Sequence, residues 1–85
     1  MLHIISNPNA IAACAKHLLD EDAIMLIGDG VYGLAEPSLD TQIPIYALKV
    51  DLAARGVSAA SNVTSANMPR FVSLVVQHAS SATWT

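Results

Sequence analysis

The sequence predicts a small single-domain α/β fold, a mainly parallel sheet flanked by helices, over residues 1–85. Three observations lead there. Short apolar runs at residues 2–6 (LHIIS), 23–27 (AIMLI) and 45–50 (IYALKV) alternate with segments carrying helical stripes or caps. The first two runs are joined by a helix, which implies a right-handed parallel crossover. A chain of 85 residues has room for one domain, and 53% of it is apolar.

Each element follows from its residues. LHIIS reads as a buried strand. Asn7 then suits a helix N-cap, with Pro8 at the first helical position, where a missing N–H costs nothing. Ile11, Cys14, Ala15 and Leu18 recur at three- and four-residue steps, the stripe of an amphipathic helix. Asp20, Glu21 and Asp22 end that helix, and AIMLI forms the second strand. GDGVYG follows at 28–33, with a short helical stretch that Pro37 stops and a polar loop, SLDTQ. Pro44 opens the third strand, IYALKV, at a place where a strand tolerates proline. In DLAARG (51–56) the spacing predicts one helical turn capped by Asp51 and closed by Gly56 in the left-handed region. Asn62 and Val63 are expected to form a brief fourth strand. The last helix begins near Asn67 with Pro69 in its first turn, presents Phe71, Val72 and Val75 on one face, and ends at His78, favoured there by the helix dipole.

Composition narrows the functional classes. So short a chain buries only about 60% of its unfolded surface, yet only 13% of the residues are charged. Part of the apolar surface is therefore expected to face another subunit. Four basic and seven acidic residues leave a net charge of -3, with no basic run to neutralise phosphates; direct nucleic-acid binding is not expected. No apolar run reaches the roughly 18 residues of a membrane span. The start, MLHIISNPNA, lacks the pattern of a secretory signal. Cys14 is the one cysteine, so no intrachain disulfide can form and a reducing cytoplasm suits the chain. In that compartment the glycosylation triplet Asn62-Val63-Thr64 would go unused.

Three features invite a chemical reading. GDGVYG spells the phosphate-binding pattern G-x-G-x-x-G, after a strand and with Asp51 at the distance of a ribose-binding acid. Against this, Pro37 shortens the helix, Asp29 puts a negative charge in the loop, and no second half exists to hold another nucleotide; the plainer reading is that Gly30 permits a tight turn and the other glycines are incidental. Asp29 and Asp51 near strand ends invite a two-carboxylate site, although Asp51 already has a capping role. Cys14 is either a small core hydrophobe or a thiolate that accepts and hands on sulfur, with His17, three residues on, placed to favour the thiolate when protonated. His3, His78, Ser6 and Ser73 show no nucleophile–base spacing. No cofactor or metal is expected.

Taken together, LHIIS, the helix bearing Cys14, the strand ending in Asp29-Gly30-Val31, the Asp-Leu-x-Ala-Arg-Gly segment at 51–56, the Phe71-Val72 helix followed by a histidine, and Trp84 resemble the DsrH/TusB family over nearly the whole chain. The resemblance implies a DsrE/F/H-like fold with flavodoxin-like layering and a place in cytoplasmic sulfur relay. It implies TusC/DsrF-like and TusD/DsrE-like partner subunits, the principal sulfur-accepting cysteine lying on the latter. The direction of the relay is either 2-thiouridine at the tRNA wobble position or dissimilatory sulfur oxidation. Cys14 matches the cysteine that DsrH-type members carry on this helix, making it the candidate sulfur carrier. Heteromeric association in the cell, and homo-oligomers of the isolated chain, are expected.

Overall fold

Five parallel strands make one sheet: β1 (Leu2–Ile5), β2 (Ala23–Leu26), β3 (Ile45–Leu48), β4 (Thr64–Ala66) and β5 (Ser81–Trp84), in the order β4-β3-β2-β1-β5. The structure, a computed structural model, describes residues 1–35, 42–59 and 62–85. The mainly parallel sheet expected from the sequence is parallel throughout, as the pairings of β1 with β2 and β5, and of β3 with β2 and β4, show. Pro37 and most of SLDTQ lie outside the described residues.

Handedness decides which face each helix covers. The first three connections step from β1 towards β4, so α1 (Ile11–Ala15), the 3-10 segment Gly28–Ala35 and α2 (Lys49–Arg55) pack on one face. Their core joins Ile5, Ile24, Leu26, Ile45 and Ala47 from the sheet to Ile11, Cys14, Val31 and Leu52. The fourth connection runs back across the sheet to β5, which puts α3 (Met68–Gln77) on the opposite face. There Leu74 and the half-buried Phe71 close over Leu2, Ala23, Met25, Leu48 and Ala66. Alternation along β1 accounts for the division, since successive side chains point to opposite faces: Leu2 and Ile4 belong to the α3 face, Ile5 to the other.

Several local expectations change. Asn7 caps as expected, its side chain accepting from the Asn9 N–H at 2.9 Å, but it caps a 3-10 turn, Pro8–Ala10, that leads into a five-residue α1. Helix α2 starts two residues before Asp51 and has no side-chain cap, so Asp51 sits inside the first turn and turns elsewhere. Gly56 does close α2 in the left-handed region, at φ 63°. The fourth strand falls two residues later than Asn62-Val63, because Val63 is drawn into the core beside Leu52. On α3, Asn67 caps the Arg70 N–H at 2.9 Å. Its inward stripe is Phe71 and Leu74, whereas Val72 and Val75 are exposed, together with Met68 and Val76. Strand β5 is additional to the strands expected from the sequence: its alternation of Ser, Ala, Thr and Trp follows so closely on α3 that it passes for a tail.

The glycines of GDGVYG are not incidental. A Cβ on Gly30 would come within 2.1 Å of the Ile5 carbonyl oxygen, and one on Gly33 within 2.0 Å of the Ile11 side chain. Gly28 has φ 52°, a left-handed conformation that favours glycine. Gly30 and Gly33 let the 3-10 segment lie directly against the end of β1 and the start of α1.

Candidate functional site

Two polar clusters and one thiol hold the chemistry of the described residues. The first cluster stands at the carboxyl ends of β2 and β3, where open α/β sheets place ligands. There the Gly28 N–H donates to Asp51 Oδ2 at 2.8 Å, and Gly30 N–H donates to the Ile27 carbonyl at 2.8 Å. Arg55, one helical turn beyond Asp51, reaches both acids: Nε donates to Asp29 Oδ1 at 3.0 Å and Nη1 to Asp51 Oδ1 at 3.3 Å. Its guanidinium also lies over the Tyr32 ring, 6.0 Å from the centroid. A phosphate-binding loop needs free amides and no competing anion. Here two of the loop amides are already engaged and two carboxylates stand beside them, sharing the single positive charge of the chain's own Arg55. The G-x-G-x-x-G spelling therefore serves close packing, and the Asp-Gly and Asp-Leu-x-Ala-Arg-Gly segments meet as a latch that ties the β2 loop to α2.

The second cluster was not anticipated. His3 Nε2 and Asp22 Oδ2 are 2.9 Å apart, and both side chains are buried. Asp22 also accepts from the Leu19 N–H at 3.0 Å and from the Met1 ammonium at 2.9 Å. Burial alone would raise the Asp22 pKa, but the hydrogen bonds from His3, the Met1 ammonium and Leu19 outweigh it and hold the carboxyl at about 2. On the other side of the His3 ring, Trp84 Nε1 donates to Nδ1 at 3.1 Å. Both ring nitrogens are thus engaged, and His3 is not free to serve as base for a nucleophile.

Cys14 lies under this cluster, on the buried stripe of α1. The residue is 0% exposed. Burial first, and the negative charge of Asp22 second, push its thiol up to about 11. At pH 7 the thiolate fraction is then roughly one in ten thousand. His17 does not assist: its backbone N–H donates to the Cys14 carbonyl at 2.9 Å, while its ring stacks on Trp84 with centroids 6.0 Å apart. The structure therefore gathers Cys14, His17, His3, Asp22 and Trp84 at one edge of the sheet, and Asp29, Asp51 and Arg55 at the carboxyl ends of its centre. Among the described residues no three His, Cys, Asp or Glu side chains are grouped as metal ligands, and no helix is long and apolar enough to cross a membrane.

One signal pointed to the second cluster. A histidine in the middle of a continuous apolar strand must find a partner once buried, and Asp22 directly precedes the strand that pairs with β1. In sequence the acidic run reads as a helix stop, and only the fold brings Asp22 to His3.

Fold and chemistry together define a small flavodoxin-like α/β protein whose thiol is sealed in the core. The chain belongs to the DsrH like protein family, whose family model matches residues 6–81. That membership points to a sulfur-relay subunit. No curated protein matches the chain at a significant level. The matched span includes Cys14 and the Asp29–Asp51–Arg55 latch but leaves out His3 and Trp84.

Proposed function

We propose that this chain is the supporting subunit of a cytoplasmic sulfur-relay complex, one that assembles with TusC/DsrF-like and TusD/DsrE-like chains and leaves the persulfide-bearing cysteine to the latter. The observation that carries the reading is the environment of Cys14. A sulfur carrier must meet a donor and present a thiolate, whereas this thiol is enclosed and held protonated. In this reading Cys14 packs α1 against the sheet.

Assembly has a physical basis in α3. Its outer side exposes Met68, Val72, Val75 and Val76, with Val76 79% exposed, and its single charged residue, Arg70, lies over the Tyr46 ring at 5.6 Å. A run of large apolar side chains along one helix marks an association surface. It is the face through which the subunit meets its neighbours.

The relay delivers sulfur towards 2-thiouridine at the tRNA wobble position, with dissimilatory sulfur oxidation as the alternative. Co-purification from the native cell, with identification of the bound chains, separates these outcomes. TusC-like and TusD-like chains with a tRNA-thiolating enzyme support the proposal, and recovery with sulfur-oxidising enzymes moves the subunit to the other pathway. Recovery without any DsrE-like or DsrF-like chain overturns it. Within the complex, Cys14→Ser should leave sulfur transfer within about twofold of the unaltered rate, since a packing residue touches no reacting atom.

A further inference from the structure

We infer that His3 is a proton-operated pin for the last strand: in its neutral form it holds Trp84 and β5 against β1, and on gaining a proton it releases them.

The inference starts from which atoms can donate. An indole N–H is a donor only, so the 3.1 Å contact from Trp84 Nε1 requires a lone pair on His3 Nδ1. The ring proton then sits on Nε2 and donates to Asp22 Oδ2. This chain, Trp84 to His3 to Asp22, fixes one tautomer. A second proton can enter only at Nδ1, where it would face the indole N–H, donor against donor. Asp22 retains the charged ring through Nε2, so Trp84 is the group that must leave.

The consequence reaches β5 because little else holds it. Among the described residues it is an edge strand paired to β1 alone. Ser81 and Thr83 are exposed on one side, and Ala82 and Trp84 are only half-buried on the other. Beyond the ladder, its ties among the described residues are the Leu2 N–H to the Ser80 carbonyl at 3.0 Å, the Ser6 N–H and hydroxyl to the Trp84 carbonyl at 3.1 and 3.4 Å, and the Trp84 ring itself. The charged and titratable groups about His3 are Asp22 before β2, the Met1 ammonium on the same carboxylate, and His17 across the indole; β5 brings none, and the nearby Cys14 thiol of α1 is neutral. Asp22 stays ionised to about pH 2, and histidine is the residue type that changes charge between about pH 5 and 8. An α-amino group and a second histidine are also of types that change charge in or near that range, but the Met1 amino group meets Asp22 and the His17 ring stacks on the indole, and neither hydrogen-bonds Trp84 Nε1.

Trp84 is the one tryptophan, so its fluorescence reports the pin in the full chain. Between pH 8 and 5, β5 should lose hydrogen-exchange protection by about fivefold or more, the scale of one lost hydrogen bond, accompanied by a change in the Trp84 emission. His3→Gln, which offers an acceptor and a donor but cannot charge, should abolish the loss of β5 protection, while His17→Gln, which removes the other ring on the indole, should keep it. Trp84→Phe, which removes the indole donor and keeps a ring, should leave β5 protection independent of pH. A loss of β5 protection that persists in His3→Gln, or β5 protection that remains acid-sensitive in Trp84→Phe, overturns the inference. So does an unaltered chain that shows no transition over this range.

Discussion

Asp22 and Asp29 are both acids paired with basic groups at an end of the same sheet, and they are held in opposite ways. Asp22 is 5% exposed and, among the described residues, takes three donors, whereas the Asp29 side chain is 69% exposed and takes one, Arg55. Water competes for Asp29 and cannot reach Asp22. The difference teaches that the family-like latch, which dominates the sequence pattern, is the weaker centre, and that the unannounced His3–Asp22 cluster carries more of the stability.

The sharpest way to break this contrast is Asp22→Ala. It strands the His3 ring N–H, the Leu19 N–H and the Met1 ammonium without an acceptor, and should cost about 3–5 kcal/mol in urea unfolding. A cost no larger than that of Asp29→Ala would erase the contrast.

Acid sharpens it next. The folded Asp22 carboxyl is held at about 2 against an ordinary 3.8. Its contribution is fully present above pH 3.8 and is lost as the pH falls through 2, a difference of about 2 kcal/mol. Unfolding curves measured between pH 4.5 and 2 should show that loss, and it should vanish in Asp22→Asn.

At the latch the effects shrink. Asp51→Ala removes the acceptor of the Gly28 N–H and one partner of Arg55, and should cost about 1–2 kcal/mol by the same measurement. Asp29→Ala breaks only an exposed pair and should cost less than about 1 kcal/mol, with the difference disappearing in high salt.

Much of the fold was legible because it rests on local chemistry. The apolar runs gave β1, β2 and β3; Asn7, Asn67 and Gly56 gave element boundaries; and the crossover rule gave parallel strands. The rest depends on who meets whom across the sheet. Asp51 reads as a cap from its neighbours, and only the arrival of Gly28 from another loop shows its actual partner. Phe71, Val72 and Val75 read as one face of the last helix, yet helical phase turns Phe71 and Leu74 inward and leaves Val72 and Val75 exposed. Gly30 and Gly33 gain their meaning from Ile5 and Ile11, distant in the chain. The candidate site divides the same way. Cys14 was found by residue type, but its burial and raised pKa come from the strands beneath it and from Asp22, which a linear pattern does not bring together.

The central claim is that the thiol of this subunit is a packing group and that the relay's sulfur rides on a partner. Incubating the folded chain with a persulfide donor and weighing it intact tests this most directly. The account predicts an unchanged mass, with sulfur added at Cys14 only once the chain is unfolded; rapid addition of a sulfur atom to the folded protein, absent in Cys14→Ser, would contradict it.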